Sequence, residues 1–151
     1  MGARSVAREA ALMVLFGTET ADEKGLSIDE QLAHFWRGVA EDAALAADLE
    51  SRTYADAIVR GVTAERDSLD AAIKKASANW RLERMSRVDR NVLRLATWEL
   101  AHDVPRAVAI DEAVELGKRF GTEESGAFVN GVLDAIRKAV ERGEVSLPAT
   151  D

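Results

Sequence analysis

The side chains best placed to do chemistry in this chain are arginines. Five of them (Arg81, Arg84, Arg87, Arg90 and Arg94) stand against Glu83 and Asp89, a local charge of +3. Arg87, Arg90 and Arg94 are three and four residues apart, so on a helix they share one stripe, which Trp98 extends. Guanidinium groups beside an aromatic ring make a surface for RNA or for an acidic partner. The competing reading ties these arginines to acidic neighbours such as Asp67 and Asp70. It is favoured, because the rest of the helix is apolar and must sit partly buried. Two smaller cationic spots are Arg4 with Arg8, four residues apart at a helix start, and Lys118-Arg119 before Phe120. They gain weight if the fold brings them beside the Gly121-Thr122 loop.

Other chemistries are poorly supported. The absence of cysteine excludes disulfide frameworks, thiolate metal sites and cysteine nucleophiles. His34 and His102 stand far apart without a ligand pattern, and His34, one turn after Glu30, fits a surface ion pair. Gly121 to Gly126 has the glycine spacing of a phosphate-binding loop, but Ala127 and Phe128 replace the lysine and hydroxyl that loop requires. The pairs Asp22-Glu23, Glu41-Asp42 and Glu123-Glu124 read as solvated helix ends. No strained nucleophile turn is visible. We therefore expect no enzyme, metal or cofactor.

The residues that must position these groups are those of a helical protein. The chain has 151 residues, 47% of them hydrophobic and 31% charged, the balance of one globular domain. It holds 27 alanines and two prolines, Pro105 and Pro148, and no apolar run of the ~20 residues needed to span a membrane. Neither a signal peptide nor a myristoylation pattern opens it, so a cytoplasmic location is expected. The formal charge of −7 argues against a general nucleic-acid coat and requires any RNA contact to be a local patch, or one shared with a partner.

Six or seven helices are expected, in subdomains of about 1–78 and 79–143 with a fraying tail over 144–151. The first runs from about Ala3 to Glu19 and, with Leu12 and Phe16, is apolar nearly all round, as a central helix should be. A loop follows over Thr20–Gly25. Ser27 to Glu30 has capping-box spacing before Leu32, Phe35, Trp36 and Val39. Glu41 to Ser77 reads as one long helical region bent near Gly61-Val62-Thr63. Asn79 to Met85 reads as a connector anchored by Trp80 and Leu82. Ser86 caps a helix to His102. Ala107 to Phe120 begins irregularly and ends at Gly121, a left-handed terminator. The last helix carries Phe128, Val129, Val132, Leu133, Ile136 and Val140 and stops at Gly143.

Three segments resemble the NusB family of transcription antitermination factors. They are Ser86-Arg87-Val88-Asp89-Arg90-Asn91-Val92-Leu93-Arg94-Leu95-Ala96, then Asp103-Val104-Pro105 with Val108-Ala109-Ile110-Asp111-Glu112-Ala113-Val114-Glu115-Leu116, and Phe120-Gly121-Thr122-Glu123 with Phe128-Val129-Asn130-Gly131-Val132-Leu133-Asp134. Ala7-Arg8-Glu9 before an apolar helix fits as well. The resemblance implies an all-α, NusB-like fold of two packed helical subdomains. It also implies a cytoplasmic RNA-binding factor that binds boxA RNA together with a NusE-type ribosomal protein and then joins the RNA polymerase elongation complex. The family's consecutive amino-terminal arginines are reduced here to Arg4 and Arg8, with Ser5 and Val6 between them. Fewer phosphate contacts mean weaker binding with a flatter salt dependence.

The site expectations combine physics and resemblance. Arg4, Arg8, Lys118, Arg119, Thr122, Glu124 and Ser125 form one RNA-facing surface, since cations and a helix amino terminus favour phosphate. Glu124 matches a family position linked to RNA affinity. Asp89 is expected as an exposed contact for the NusE-type partner, with Arg90 and Trp98 beside it, or as the carboxylate that closes the Ser86 cap. Phe120 and Phe128 are expected in the core ahead of base stacking. The alternative function is a diverged member of the fold with weak RNA affinity, acting through protein partners or as a homodimer. A detached recognition domain of an RNA methyltransferase is a third reading, disfavoured because no glycine-rich cofactor loop follows a strand.

Overall fold

A computed structural model describes residues 2–42, 48–77 and 80–147. Among these the chain is all-helical and divides into two compact units, Met1–Gly61 and Val62–Asp151. The second helical half therefore begins about one helix earlier than sequence periodicity suggests.

In the first unit, α1 (Ala3–Glu23) buries Ala7, Ala10, Ala11, Leu12, Val14 and Leu15. It continues through most of the expected loop. The stop signal is Gly25, whose φ of +76° lets the Leu26 and Gly25 amides donate to Ala21 O and Asp22 O, a Schellman closure. Phe16 is 43% exposed, so α1 is one-sided. The following turn is held by Gln31, whose Nε2 donates to Asp22 Oδ1 and Leu26 O, at 3.1 and 3.0 Å. Ser27 and Glu30 form the expected capping box at the start of α2 (Ile28–His34). The Ser27 amide holds the Glu30 carboxyl below the ordinary carboxylate range. The helical path continues through a π turn (Phe35–Val39) into α3 (Ala40–Asp42). In α4 (Leu49–Ala64), Asp56 accepts the indole N–H of Trp36 at 2.8 Å. Of the long helical region expected from Glu41 to Ser77, residues 43–47 lie outside the described part. The remainder breaks at Glu65, not at Gly61–Thr63, through which α4 runs.

The second unit holds α5 (Arg66–Ala76), a 3-10 turn (Leu82–Arg84), α6 (Arg87–Ala101), α7 (Arg106–Phe120) and α8 (Ser125–Glu141). Helices α6, α7 and α8 pack on one another, and α5 packs on α6 and α8. Every residue of α6 from Asn91 to Glu99 is buried. Arg94 lies among them, and its Nε and Nη2 meet Asp70 of α5 at 2.7 and 3.1 Å. Helix α6 ends on Asp103 in the left-handed region (φ +64°), with the Val104 amide closing on Glu99 O. Helix α7 is regular from Arg106, without the irregular start. Helix α8 buries Val129, Val132, Leu133, Ile136 and Ala139, while Val140 is 38% exposed. Gly143 (φ +73°) terminates it as expected. The chain beyond folds back onto it: Val145 is buried with Ala72 and Ala139, Leu147 packs on them, and Lys75 Nζ donates to Glu144 O. The tail expected to fray is thus packed over residues 144–147, and residues 148–151 lie outside the described part.

Gly121 is not a left-handed terminator, since its φ is −100°. Its lack of a side chain serves packing. A Cβ there would stand 2.2 Å from Ser125 Oγ, 2.7 Å from Ser125 Cβ and 2.8 Å from Gly117 O. Gly117 likewise faces the Ser125 and Gly126 backbone at 3.4–3.5 Å. The glycines spaced like a phosphate-binding loop are those that let α7 meet the first turn of α8.

Three stability outcomes follow from this packing. Asp70→Ala leaves the buried Arg94 guanidinium without its counter-ion and should cost about 3–5 kcal/mol, read as a lower urea midpoint with an unchanged slope. Gly121→Ala should cost about 1–3 kcal/mol by overpacking. Gly17→Ala in the exposed interior of α1, where an added Cβ meets nothing within 4 Å, should gain roughly 0.5–1 kcal/mol. Equal melting shifts for the two glycine-to-alanine variants would contradict the steric role of Gly121.

Candidate nucleic-acid interface

On the first unit, Arg4 stands exposed one turn into α1. Its guanidinium lies 3.8 Å from the centroid of the Tyr54 ring on α4. The ring holds the cation in place without neutralising it. Arg8 is different: it is only 4% exposed, with its guanidinium 5.8 Å from the same ring. A buried arginine offers little to a phosphate in solution, so the expected cationic pair reduces to Arg4 at the surface. Sequence reading missed Tyr54, because a single tyrosine in an alanine-rich helix carries no signal without its partner.

On the second unit, the end of α7 and the turn into α8 bring the predicted groups together. Lys118 is exposed, and its stem covers Gly126, where an added Cβ would meet Lys118 Cγ at 3.0 Å. Arg119 places its guanidinium 5.0 Å from the centroid of the Phe120 ring. The Thr122 amide donates to Ser125 Oγ at 2.9 Å, and the Thr122 hydroxyl donates to the Glu124 carboxylate at 3.3 Å. Ser125 itself is buried. It shapes the turn from within, whereas Thr122 and Glu124 form its exposed surface. The turn therefore joins the positive end of a helix to two acidic side chains, Glu123 and Glu124, and two basic ones, Lys118 and Arg119, of which Lys118 lies 3.8 Å from Glu115.

The arginine stripe on α6 resolves toward structure. Arg94 and Trp98 are buried, at 5% and 8% exposure, and the Trp98 ring stacks on His102 at 4.4 Å. His102 Nε2 also meets Glu65 at 2.9 Å. Asp70, one of the two acids expected from the sequence, is the partner of Arg94. Arg90 is half-buried, and its Nη1 donates to Met85 O at 2.8 Å. Ser86 caps α6 by accepting the Asp89 amide at 3.0 Å. Asp89 does not complete a capping box: its carboxylate has no hydrogen-bond partner among the described residues, and Oδ1 is buried. It is half-buried, not the fully exposed contact expected.

Asp89 lies on the wall of a cavity of about 430 Å³, entirely within the second unit. Glu124, Thr122 and Arg84 share that wall, and Met85, Phe128 and Trp80 supply apolar surface. The aromatic residues depart from the core expectation. Phe120 is 38% exposed and Phe128 half-buried. Trp80, expected as an anchor beside Leu82, is 61% exposed, whereas Leu82 is buried. Among the described residues no three His, Asp or Glu side chains converge as metal ligands, and no helix is long and apolar enough to cross a membrane.

Comparison with known proteins places these features in a family. The NusB family model matches residues 5–138. The transcription antitermination protein NusB of Sorangium cellulosum is 56% identical over 144 residues, covering 94% of this chain and 96% of that protein. NusB of Myxococcus xanthus is 46% identical, covering 94% and 99%. Among solved structures, NusB of T. maritima aligns with a TM-score of 0.75 at 37% identity, covering 94% of this chain and 97% of that one. A crystal structure of the antitermination factors NusB and NusE in complex with double-stranded RNA aligns with a TM-score of 0.74 at 29% identity, covering 91% and 97%. With the all-helical fold, the Ser86 cap and the Phe120–Ser125 turn already in place, these matches over nearly the whole length show that the chain belongs to the NusB family.

Proposed function

We propose that this chain is an RNA-binding transcription antitermination factor without catalytic activity. It binds boxA RNA jointly with a NusE-type ribosomal protein and acts in the cytoplasm on the RNA polymerase elongation complex, with ribosomal RNA operons among its targets. The observation that carries this reading is the family match across residues 5–138, together with a turn that joins Lys118 and Arg119 to the first turn of α8. Arg4 on the first unit and Lys118, Arg119 and Thr122 on the second contact RNA. Arg8 and Ser125 support those contacts from buried positions. Glu124 weakens them, because an exposed carboxylate at a phosphate-binding turn repels the ligand.

Helix α6 carries the partner contact. A half-buried carboxylate without a hydrogen bond is a costly group to keep for structure alone. Asp89 gains a partner when a basic protein surface covers it, and Arg90 lies beside it on the same helix. Trp98, buried farther along α6 against His102, supports the helix and does not meet the partner. The reduced amino-terminal charge and the burial of Arg8 favour a chain that leans on its protein partner for RNA affinity. A member acting mainly through protein contacts, or as a homodimer, is the second reading.

The test is a boxA titration of the full chain at several salt concentrations, with and without the NusE-type protein. Glu124→Gln should tighten RNA binding about fivefold, the worth of one removed like-charge contact in solvent. Asp89→Lys should weaken partner binding by about tenfold or more, while the melting temperature moves by only a few degrees. Partner affinity unchanged in Asp89→Lys would remove α6 from the interface. Partner binding without any RNA gain would favour the second reading.

A further inference from the structure

We infer that Trp80 is a stacking platform for an unpaired RNA base, extending the RNA site from the α8 turn across an aromatic ridge. The inference rests on the RNA-binding reading above and assigns a contact to the connector before α6.

Trp80 is braced on one side and left uncovered on the other. Its amide donates to Ser77 O at 2.8 Å. Ser77 is buried, and its hydroxyl donates to Ile73 O at 2.6 Å at the end of α5. Phe128 braces the indole edge to face, with centroids 5.4 Å apart and planes at 72°. Even so, 61% of the residue is exposed. A large aromatic fixed at both backbone and ring, yet open to solvent, is placed for a flat apolar partner. The ridge has a recess on each side: the cavity of about 430 Å³ containing Asp89 and Glu124, and a second of about 260 Å³ between Ala76, Ser77, Ala127 and Gly131.

The charges identify the occupant. Arg81 and Arg84 are exposed on the same connector, and neither guanidinium has a partner among the described residues. They suit phosphates at the rim. An indole on the same connector as two exposed guanidinium groups matches a nucleotide whose base stacks while its phosphates meet the cations. The cavity adjoins the Thr122–Ser125 turn, so a strand on that turn continues directly onto the ridge. Stacking requires an unpaired base, so single-stranded RNA is favoured over duplex.

The experiment uses the full chain with the NusE-type protein, a single-stranded boxA RNA and the same sequence as a duplex. Trp80→Ala should lose roughly five- to hundredfold in affinity for the single strand with the salt slope retained, because a stack releases no counter-ions. Arg84→Gln should instead flatten the slope by about 0.7. RNA should quench tryptophan fluorescence in the unaltered chain. Trp80→Phe should abolish that quench and keep most of the affinity, which separates stacking from misfolding. Single-strand affinity in Trp80→Ala equal to the unaltered chain overturns this inference alone. Unchanged RNA affinity with lost partner binding also overturns it, making the ridge a protein surface. No RNA binding by the unaltered chain overturns it together with the antitermination reading.

Discussion

The second unit is organised around a charge drawn almost wholly out of water. Helix α6 is enclosed from Asn91 to Glu99, and Arg94 lies in that stretch. A guanidinium there is tolerable only with a fixed counter-ion and satisfied N–H groups. Asp70 supplies two of the bonds and Asn91 Oδ1 a third, while Asn91 Nδ2 donates back to Arg87 O. This network fixes the rotation of α6 about its axis and its height against α5. A rotated α6 would strand the charge, which a purely apolar helix would not oppose as strongly. Because Asp89 stands five residues before Arg94 on the same rigid helix, the direction it faces is set by the buried pair.

The other side of the site is set by an absence of atoms. Gly117, Gly121 and Gly126 let α7 and the start of α8 approach at backbone distance, with Ser125 closing the gap. The Thr122–Ser125 turn is drawn tight by that approach, since the Ser125 hydroxyl that would collide with a Cβ at Gly121 also accepts the Thr122 amide. Packing and site geometry are therefore one feature. The same closeness leaves the Lys118 stem lying over Gly126, with its ammonium 3.8 Å from Glu115.

Much of this was legible in the sequence, for identifiable reasons. The Ser27 and Ser86 caps and the Gly143 stop depend on local chemistry, which a single sequence records. The pairing of Arg94 with Asp70 was anticipated because an apolar helix cannot leave a mid-helix arginine free. Three features were not legible. The stop of α1 at Glu23 was misplaced because polar residues before Gly25 resemble a loop, although the helix tolerates them. Gly121 was assigned to backbone torsion when tertiary crowding explains it, and crowding has no local signature. The aromatic residues failed in both directions: Trp98 is buried although it follows an arginine stripe, and Trp80 is exposed although tryptophan usually anchors. Hydrophobicity is the same in both cases, and only the tertiary surroundings decide exposure.

The net charge of −7 is the constraint any functional account must meet. Long-range attraction cannot draw RNA to this chain, because its overall field is repulsive and salt screens charges beyond about 10 Å. Recognition must therefore come from contacts shorter than that distance. In the proposed reading, Arg4 on a tyrosine ring, Lys118 beside the first turn of α8, and the exposed Arg81 and Arg84 on the Trp80 connector act within that distance. Stacking, hydrogen bonding to base edges and helix amides lose little to a distant negative charge, whereas non-specific phosphate binding loses most of its strength. An acidic chain with such local features is poor at coating RNA and better at selecting it. A basic protein partner can supply the remaining attraction through the α6 face without adding charge to the chain itself.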